Sequence, residues 1–312
     1  MAVEGGAWGG GQWTVVMKII VSEKYSVNLS GHVFETGKFI AAARLAADEK
    51  NFVAPPSPRR QDLLLVHSPE WADKVISCKL TPDDEKLAEI PVTPEVSLAH
   101  QLACSGTALA CELALKDGLG LHAGGGGHHA FRDHGEGFCI LNDIAVGIEK
   151  LRKSGTIKKA AVVDLDAHQG NGTAGIFART PEVFTFSMHE AAIFPEKKEK
   201  SSLDVELETG MGGKRYIELL AENLPKVLDG HKPELVVYLA GADCCEHDKL
   251  AGLKLKMDDL LARDEYVFRQ CFSRRIPVAV VLGGGYAENP QDTIRIHAGT
   301  LSLAAEIRAK FC

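Results

Sequence analysis

Three apolar runs in this chain are almost uninterrupted: AAVVDLD at 160–166, LVVYLAGAD at 235–243 and VAVVLGGGY at 278–286. A strand that is apolar at successive positions, not alternate ones, must be covered on both faces, and central strands of parallel sheets are placed that way. Further β-rich runs stand at 15–21, 63–66, 120–123 and 183–187. Segments of helical length and spacing separate them. One follows Thr93-Pro94, runs through LAHQLACSGTALACELAL and stops at Gly118; the others cover 142–152, 214–228, 257–273 and about 299–310. Strand–helix alternation of this kind predicts an α/β fold, a single-domain open doubly wound parallel sheet with helices on both faces. With 312 residues, 45% of them hydrophobic, the chain can bury such a core in one unit. The domain is expected over 17–312. The glycine-rich stretch MAVEGGAWGGGQWTVV at 1–16 reads as a flexible N-terminal extension, and Met17 offers a second start.

Charge and cysteine content exclude several function classes. A net charge of −7, not gathered in one block, argues against the broad basic face of a nucleic-acid binder. Arg59-Arg60 and Lys197-Lys198 read as solvated loop residues. The eight cysteines form no CxxC pair and suggest neither a disulfide framework nor a cysteine-rich zinc module, so a reducing, cytoplasmic setting is expected, or a nuclear one in a eukaryote. No signal peptide and no membrane-spanning apolar stretch is expected.

The chemistry gathers where polar residues interrupt the apolar runs. One run enters Asp164-Leu165-Asp166-Ala167-His168, a second ends in Gly241-Ala242-Asp243 and a third in Gly283-Gly284-Gly285-Tyr286; the run at 120–123 enters Gly124 to Gly127 and then His128-His129. Ligands of open α/β sheets bind outside the carboxyl ends of the strands, so these ends deliver their side chains to one crevice. At strand periodicity residues 164, 166 and 168 share a side. Asp166 and His168 can then chelate one ion with Asp243, leaving Asp164 to orient a neighbour. The O/N/O set suits Zn²⁺ with a position open for water, and Fe²⁺ or Mn²⁺ would also accept it.

At these residues the chain resembles the histone deacetylase family of the arginase–deacetylase superfamily. The resemblance runs from about Ile19 to Ile307 and rests on GHVF at 31–34, DLLLVHSPEW at 62–71, GGGGHHAF at 124–131, GFCILNDIA at 137–145, DLDAHQGNGT at 164–173, GAD at 241–243 and GGGY at 283–286. Class IV deacetylases and bacterial deacetylase-like amidohydrolases look most similar. The resemblance implies one catalytic Zn²⁺ on Asp166, His168 and Asp243, His129 as general base, His128 as its electrostatic partner with Asp164 behind it, and Tyr286 as donor to the oxyanion. Zinc would lower the pKa of a water and polarise an amide carbonyl. The family also implies a potassium (K⁺) site near Asp164, Asp166, His168 and Ser187, and a substrate tunnel to which Gly137, Phe138, Phe194, Leu250 and Gly284 correspond.

Two positions depart from the familiar pattern: Gln169 stands where many relatives carry a second histidine, and Asn171 where they carry an aspartate. Asn171 would give His129 a neutral orienting partner, and the pair argues against a two-metal arginase site. The implied activity is removal of acyl groups, acetyl or longer, from lysine side chains of a peptide or protein. An acylated small amine such as an acylpolyamine is the nearest alternative, with Glu246 and Asp248 as the acids for its mouth. A metal-stabilised binding protein without turnover would need neither Tyr286 nor the histidine pair.

Overall fold

A computed structural model describes residues 17–29 and 31–311. The expected extension, with Val15 and Val16 of the first run, lies outside the described residues. Among the described residues eight strands form one sheet: β1 (Ile19–Ile20), β2 (Phe52–Val53), β3 (Leu119–His122), β4 (Ala160–Asp164), β5 (Val183–Glu190), β6 (Leu203–Leu207), β7 (Leu235–Ala240) and β8 (Val278–Leu282). Their order is β2-β1-β3-β8-β7-β4-β5-β6 and every neighbouring pair is parallel. The helices are α1 (Lys38–Ala46), α2 (Arg60–Leu63), α3 (Pro69–Ile76), α4 (Pro82–Ala88), α5 (Pro94–Asp117), α6 (Asp143–Lys153), α7 (Asn171–Phe177), α8 (Gly213–His231), α9 (Met257–Ser273) and α10 (Pro290–Ala309). No helix among the described residues is long and apolar enough to cross a membrane.

The unbroken apolar runs are explained by two cores, one on each face of the sheet. Ala161, Val163, Val236, Tyr238, Val278 and Val280 point into a core completed by Leu220 and Leu224 of α8, Phe268 of α9 and Leu301 of α10. Their neighbours Ala160, Val162, Leu235, Val237, Ala279 and Val281 point the other way, onto Trp71, Val96, Cys111 and Ile144 of α3, α5 and α6. Each large apolar side chain buried this way contributes roughly 1.5–3 kcal/mol. The long helix α5 starts where the Thr93 hydroxyl accepts from the Val96 N–H, with Pro94 in its first turn, and ends on Gly118 at φ +82°. It lies so close to β3 that a Cβ on Gly120 would fall 1.9 Å from the Ala110 carbonyl.

Two expectations are corrected, and two strands carry no apolar run. Residues 63–66 are the end of α2 and a turn, not a strand: Leu63 and Val66 are buried three residues apart, and His67 N–H bonds to Leu63 O at 2.8 Å. The edge strands β2 and β6 lack an apolar run because one is two residues long and the other, LDVEL, is covered only in part. Helix α10 begins at Pro290, capped by Asn289, well before the expected start near 299.

Candidate active site

The strands β3, β8, β7 and β4 are neighbours at the centre of the sheet, and each hands one motif to its carboxyl end. Beyond β3 the chain makes positive-φ turns at Gly124, Gly125 and Gly126. Gly126 and Gly127 N–H donate to the Asp143 carboxylate at 3.2 and 2.6 Å. Asp143, at the start of α6, thereby anchors the turn that delivers His128 and His129, whose ring centroids are 4.0 Å apart. His128 Nδ1 meets Asp164 Oδ2 at 2.8 Å, and His129 Nδ1 meets Asn171 Oδ1 at 2.7 Å. Asn171 Nδ2 in turn donates to Glu136 Oε2.

Beyond β4 and β7, Asp166, His168 and Asp243 form the one metal-capable cluster found among the described residues, their donor atoms within 4.8 Å of one another. His168 Nδ1 lies 3.1 Å from Asp166 Oδ1 and 3.0 Å from Asp243 Oδ2. The other oxygen of each carboxylate is held by backbone: Asp166 Oδ2 accepts from Gly284 N–H at 2.7 Å and Asp243 Oδ1 from Ala167 N–H at 2.9 Å. Burial favours neutral His168, yet its two carboxylate neighbours hold the imidazole proton far above the ordinary histidine range. Two buried carboxylates around one imidazole leave a deficit of positive charge, and this O/N/O donor set fits a divalent cation such as Zn²⁺ with room for a further ligand. Only glycine is accommodated at 284, where a Cβ would stand 2.0 Å from Asp243 Oδ2.

The pKa values of the two histidines are shifted in opposite directions. Burial pushes His128 down, but Asp164 and Asp166 outweigh it and hold its pKa at about 8. Burial also lowers His129, and the positive charges of His128 and His168 lower it further, well below its ordinary value. Tyr286 follows β8; burial, then Asp166 and Asp243, push its phenol well above 10, so it remains an O–H donor.

A pocket of about 820 Å³, its open mouth included, reaches this group of residues. Gly137, Phe138, Gly284 and Tyr286 line it, and Phe138 packs edge-on to Tyr286 at 5.9 Å between centroids. Phe194 packs edge-on to His129 at 4.9 Å between centroids, and Leu250 N–H donates to Asp248 Oδ1 at 2.8 Å. Ser187 is in register beside Asp164 and its hydroxyl meets His189 Nδ1 at 2.9 Å. Gln169 is turned away from the metal-capable cluster: its amide bonds to Glu199 O and N and to Asp204 Oδ1. Two residues with no motif of their own also reach the site. Lys38 Nζ, buried, donates to Gly285 O at 3.0 Å and lies 4.8 Å from the Tyr286 ring centroid. Asp248 Oδ2 accepts from Tyr286 N–H at 2.6 Å.

Comparison with known proteins gives this arrangement its class. The histone deacetylase domain family matches residues 32–300. Histone deacetylase 2 of Arabidopsis thaliana is 29% identical over 312 aligned residues, covering 94% of this chain and 81% of that protein. A probable deacetylase of Methanothermobacter thermautotrophicus is 31% identical over 287, covering 86% of each. The crystal structure of a histone deacetylase homologue complexed with SAHA superposes with a TM-score of 0.79 at 26% identity, covering 94% of this chain and 84% of that one. The fold and site thus define a deacetylase-type hydrolase. The chain belongs to the histone deacetylase family.

Proposed function

We propose that the protein is a single-zinc lysine deacylase, hydrolysing the amide between an acyl group and a lysine side-chain nitrogen. The observation that carries this reading is geometric: His128 on Asp164 and His129 on Asn171 stand beside the Asp166–His168–Asp243 cluster, with the Tyr286 phenol on the same pocket. Zinc held by those three residues would supply Lewis-acid polarisation of the amide carbonyl and acidify a water. His129, donating from Nδ1 to Asn171, keeps an Nε2 lone pair to take a proton from the attacking water and return it to the departing amine. His128, paired with Asp164, stabilises negative charge developing beside it. Tyr286 donates its O–H to the carbonyl oxygen as that oxygen becomes anionic. The register of Ser187 beside Asp164 is compatible with the potassium site that the family implies.

The pocket is also lined by Tyr25, Val27, Leu29, Val96 and Ala103, a largely apolar wall that supports acyl groups longer than acetyl. An acylpolyamine substrate needs acids free at the mouth to meet its ammonium groups. Both oxygens of Asp248 already accept backbone N–H groups, which leaves Glu246 as the acid for that substrate. The test is turnover of acetyl-, butyryl-, decanoyl- and myristoyl-lysine peptides beside acetylpolyamines, with Tyr286→Phe and His129→Ala as controls. Acyl-lysine turnover lost by about 10²–10³ in the controls supports the reading; similar rates in all three proteins contradict the mechanism, and preference for acetylpolyamine contradicts the substrate.

A further inference from the structure

We infer that Glu136 is a positioning residue that sets the tautomer of His129 by fixing which way round the Asn171 amide lies. The inference rests on His129 being the base of the proposed reaction. Asn171 is buried between two partners, His129 Nδ1 on Oδ1 at 2.7 Å and Glu136 Oε2 on Nδ2. An amide is nearly symmetric in shape but not in chemistry: one end accepts and the other donates. The Glu136 carboxylate has no proton to give, so it takes the Nδ2 end and turns Oδ1 onto the imidazole. Oδ1 only accepts; His129 must therefore carry its proton on Nδ1 and present a bare Nε2 to the pocket. With the amide reversed, Nδ2 would face Nδ1, the ring proton would move to Nε2, and the base would have nowhere to receive a proton.

An aspartate at 171 would need no such help, because both its oxygens accept. The amide at this position is what creates the need for an orienting carboxylate. The backbone holds Glu136 to the task. Its N–H and C=O both bond to Cys139 at 2.9 Å, closing a tight turn whose central residues Gly137 and Phe138 have φ of +51° and +66°. The turn that supplies the pocket wall thus also aims Glu136 at Asn171. A Cβ on Gly137 would meet Phe194 at 2.5 Å and His129 at 2.9 Å, so this turn sits directly against the base.

The test is a double-mutant cycle on the zinc-loaded protein, read by kinetics and by ¹⁵N NMR of histidine-labelled protein, with His129 assigned by its loss in His129→Ala. The kinetic probe is the decanoyl-lysine peptide. Glu136→Ala is expected to lower kcat by ~3–10-fold with KM changed less than twofold, because only part of the population keeps the competent tautomer. Its His129 resonances should move from the Nδ1–H pattern towards a mixture. In the Asn171→Asp background the same Glu136→Ala change should leave kcat within twofold or raise it, since it removes a carboxylate from beside another. A merely structural Glu136 would cost the same in both backgrounds, and that result, or an unchanged Nδ1–H pattern in Glu136→Ala, overturns the inference. Absence of turnover in the wild type would refute the deacylase reading while the NMR comparison still decides the role of Glu136.

Discussion

Asp248 holds Tyr286 by its backbone: Oδ2 accepts the tyrosine N–H at 2.6 Å while Oδ1 accepts the N–H of Leu250 at 2.8 Å. Two successive loops at the pocket are therefore tied through one carboxylate. Asp248→Asn replaces one of the acceptors by a donor and sets it against an N–H. The loss of a charge-assisted hydrogen bond is worth about 1.5–3 kcal/mol; here it should appear mainly as misplacement of the Tyr286 phenol. The expected outcome is a kcat lowered about tenfold with little change in KM, measured by steady-state kinetics. Wild-type kcat in Asp248→Asn would show that the tyrosine is held by other contacts.

The parts of the site that could be read from sequence are those that a single strand delivers. The runs ending in DLDAH, GAD, GGGY and GGGGHH are each legible because an apolar strand stops at polar residues, and β3, β8, β7 and β4 prove to be adjacent. Lys38 and Glu136 were not legible in that way. They act across the fold, from α1 and from a turn before α6, with no spacing to mark them. Asp248 was visible as an acid in a loop, but sequence could not show that its oxygens face the backbone and not the solvent. The sheet edges failed for a different reason: β2 and β6 are only half covered, so neither carries the unbroken apolar pattern of the centre.

Asn171→Asp should move the acidic limb of the pH–rate profile to higher pH. A histidine base works only when neutral, and burial above all holds the His129 pKa well below the ordinary value. Activity that depends on it survives until the pH falls through that lowered pKa. A carboxylate at 171 favours the imidazolium and raises the pKa, so activity is lost earlier on acidification. The measurement is kcat/KM against pH for the two proteins. Coincident acidic limbs would contradict the prediction.

Removing the metal should destabilise the protein as well as silence it. Asp166, His168 and Asp243 are buried, and without a divalent cation their charge is balanced only by protons on the imidazole and its neighbours. A ligand that binds the folded state alone adds about 4 kcal/mol when present at 1,000 times its Kd. Chelation by phenanthroline is expected to lower Tm by several degrees, and Zn²⁺ added back should restore it. Asp243→Asn, with one ligand weakened, should show a much smaller response to either treatment. Equal Zn²⁺-dependent shifts in both proteins would place the stabilising ion elsewhere.

Lys38 sets stability against function. Its Nζ is enclosed by the rings of Phe34, Phe39 and Tyr286 and bonded to Gly285 O at 3.0 Å. Burial lowers its pKa to about 8, although Asp243, Asp166 and Asp248 pull the other way. A lysine whose pKa falls on folding opposes folding wherever the unfolded chain would keep it charged. That penalty is fully present below about pH 8 and fades as pH rises through the interval up to the unfolded value of 10.5. The shift is equivalent to about 3 kcal/mol at most, and the hydrogen bond to Gly285 offsets part of it. Lys38→Met fills similar space without a charge, so at pH 7 its Tm should be no lower than that of the wild type. Its kcat should nevertheless fall about tenfold, because the Gly285 carbonyl and the Tyr286 ring lose the cation that seats them. Thermal melts and steady-state kinetics on the same preparations decide it: a lower Tm with unchanged kcat would make Lys38 a packing residue only.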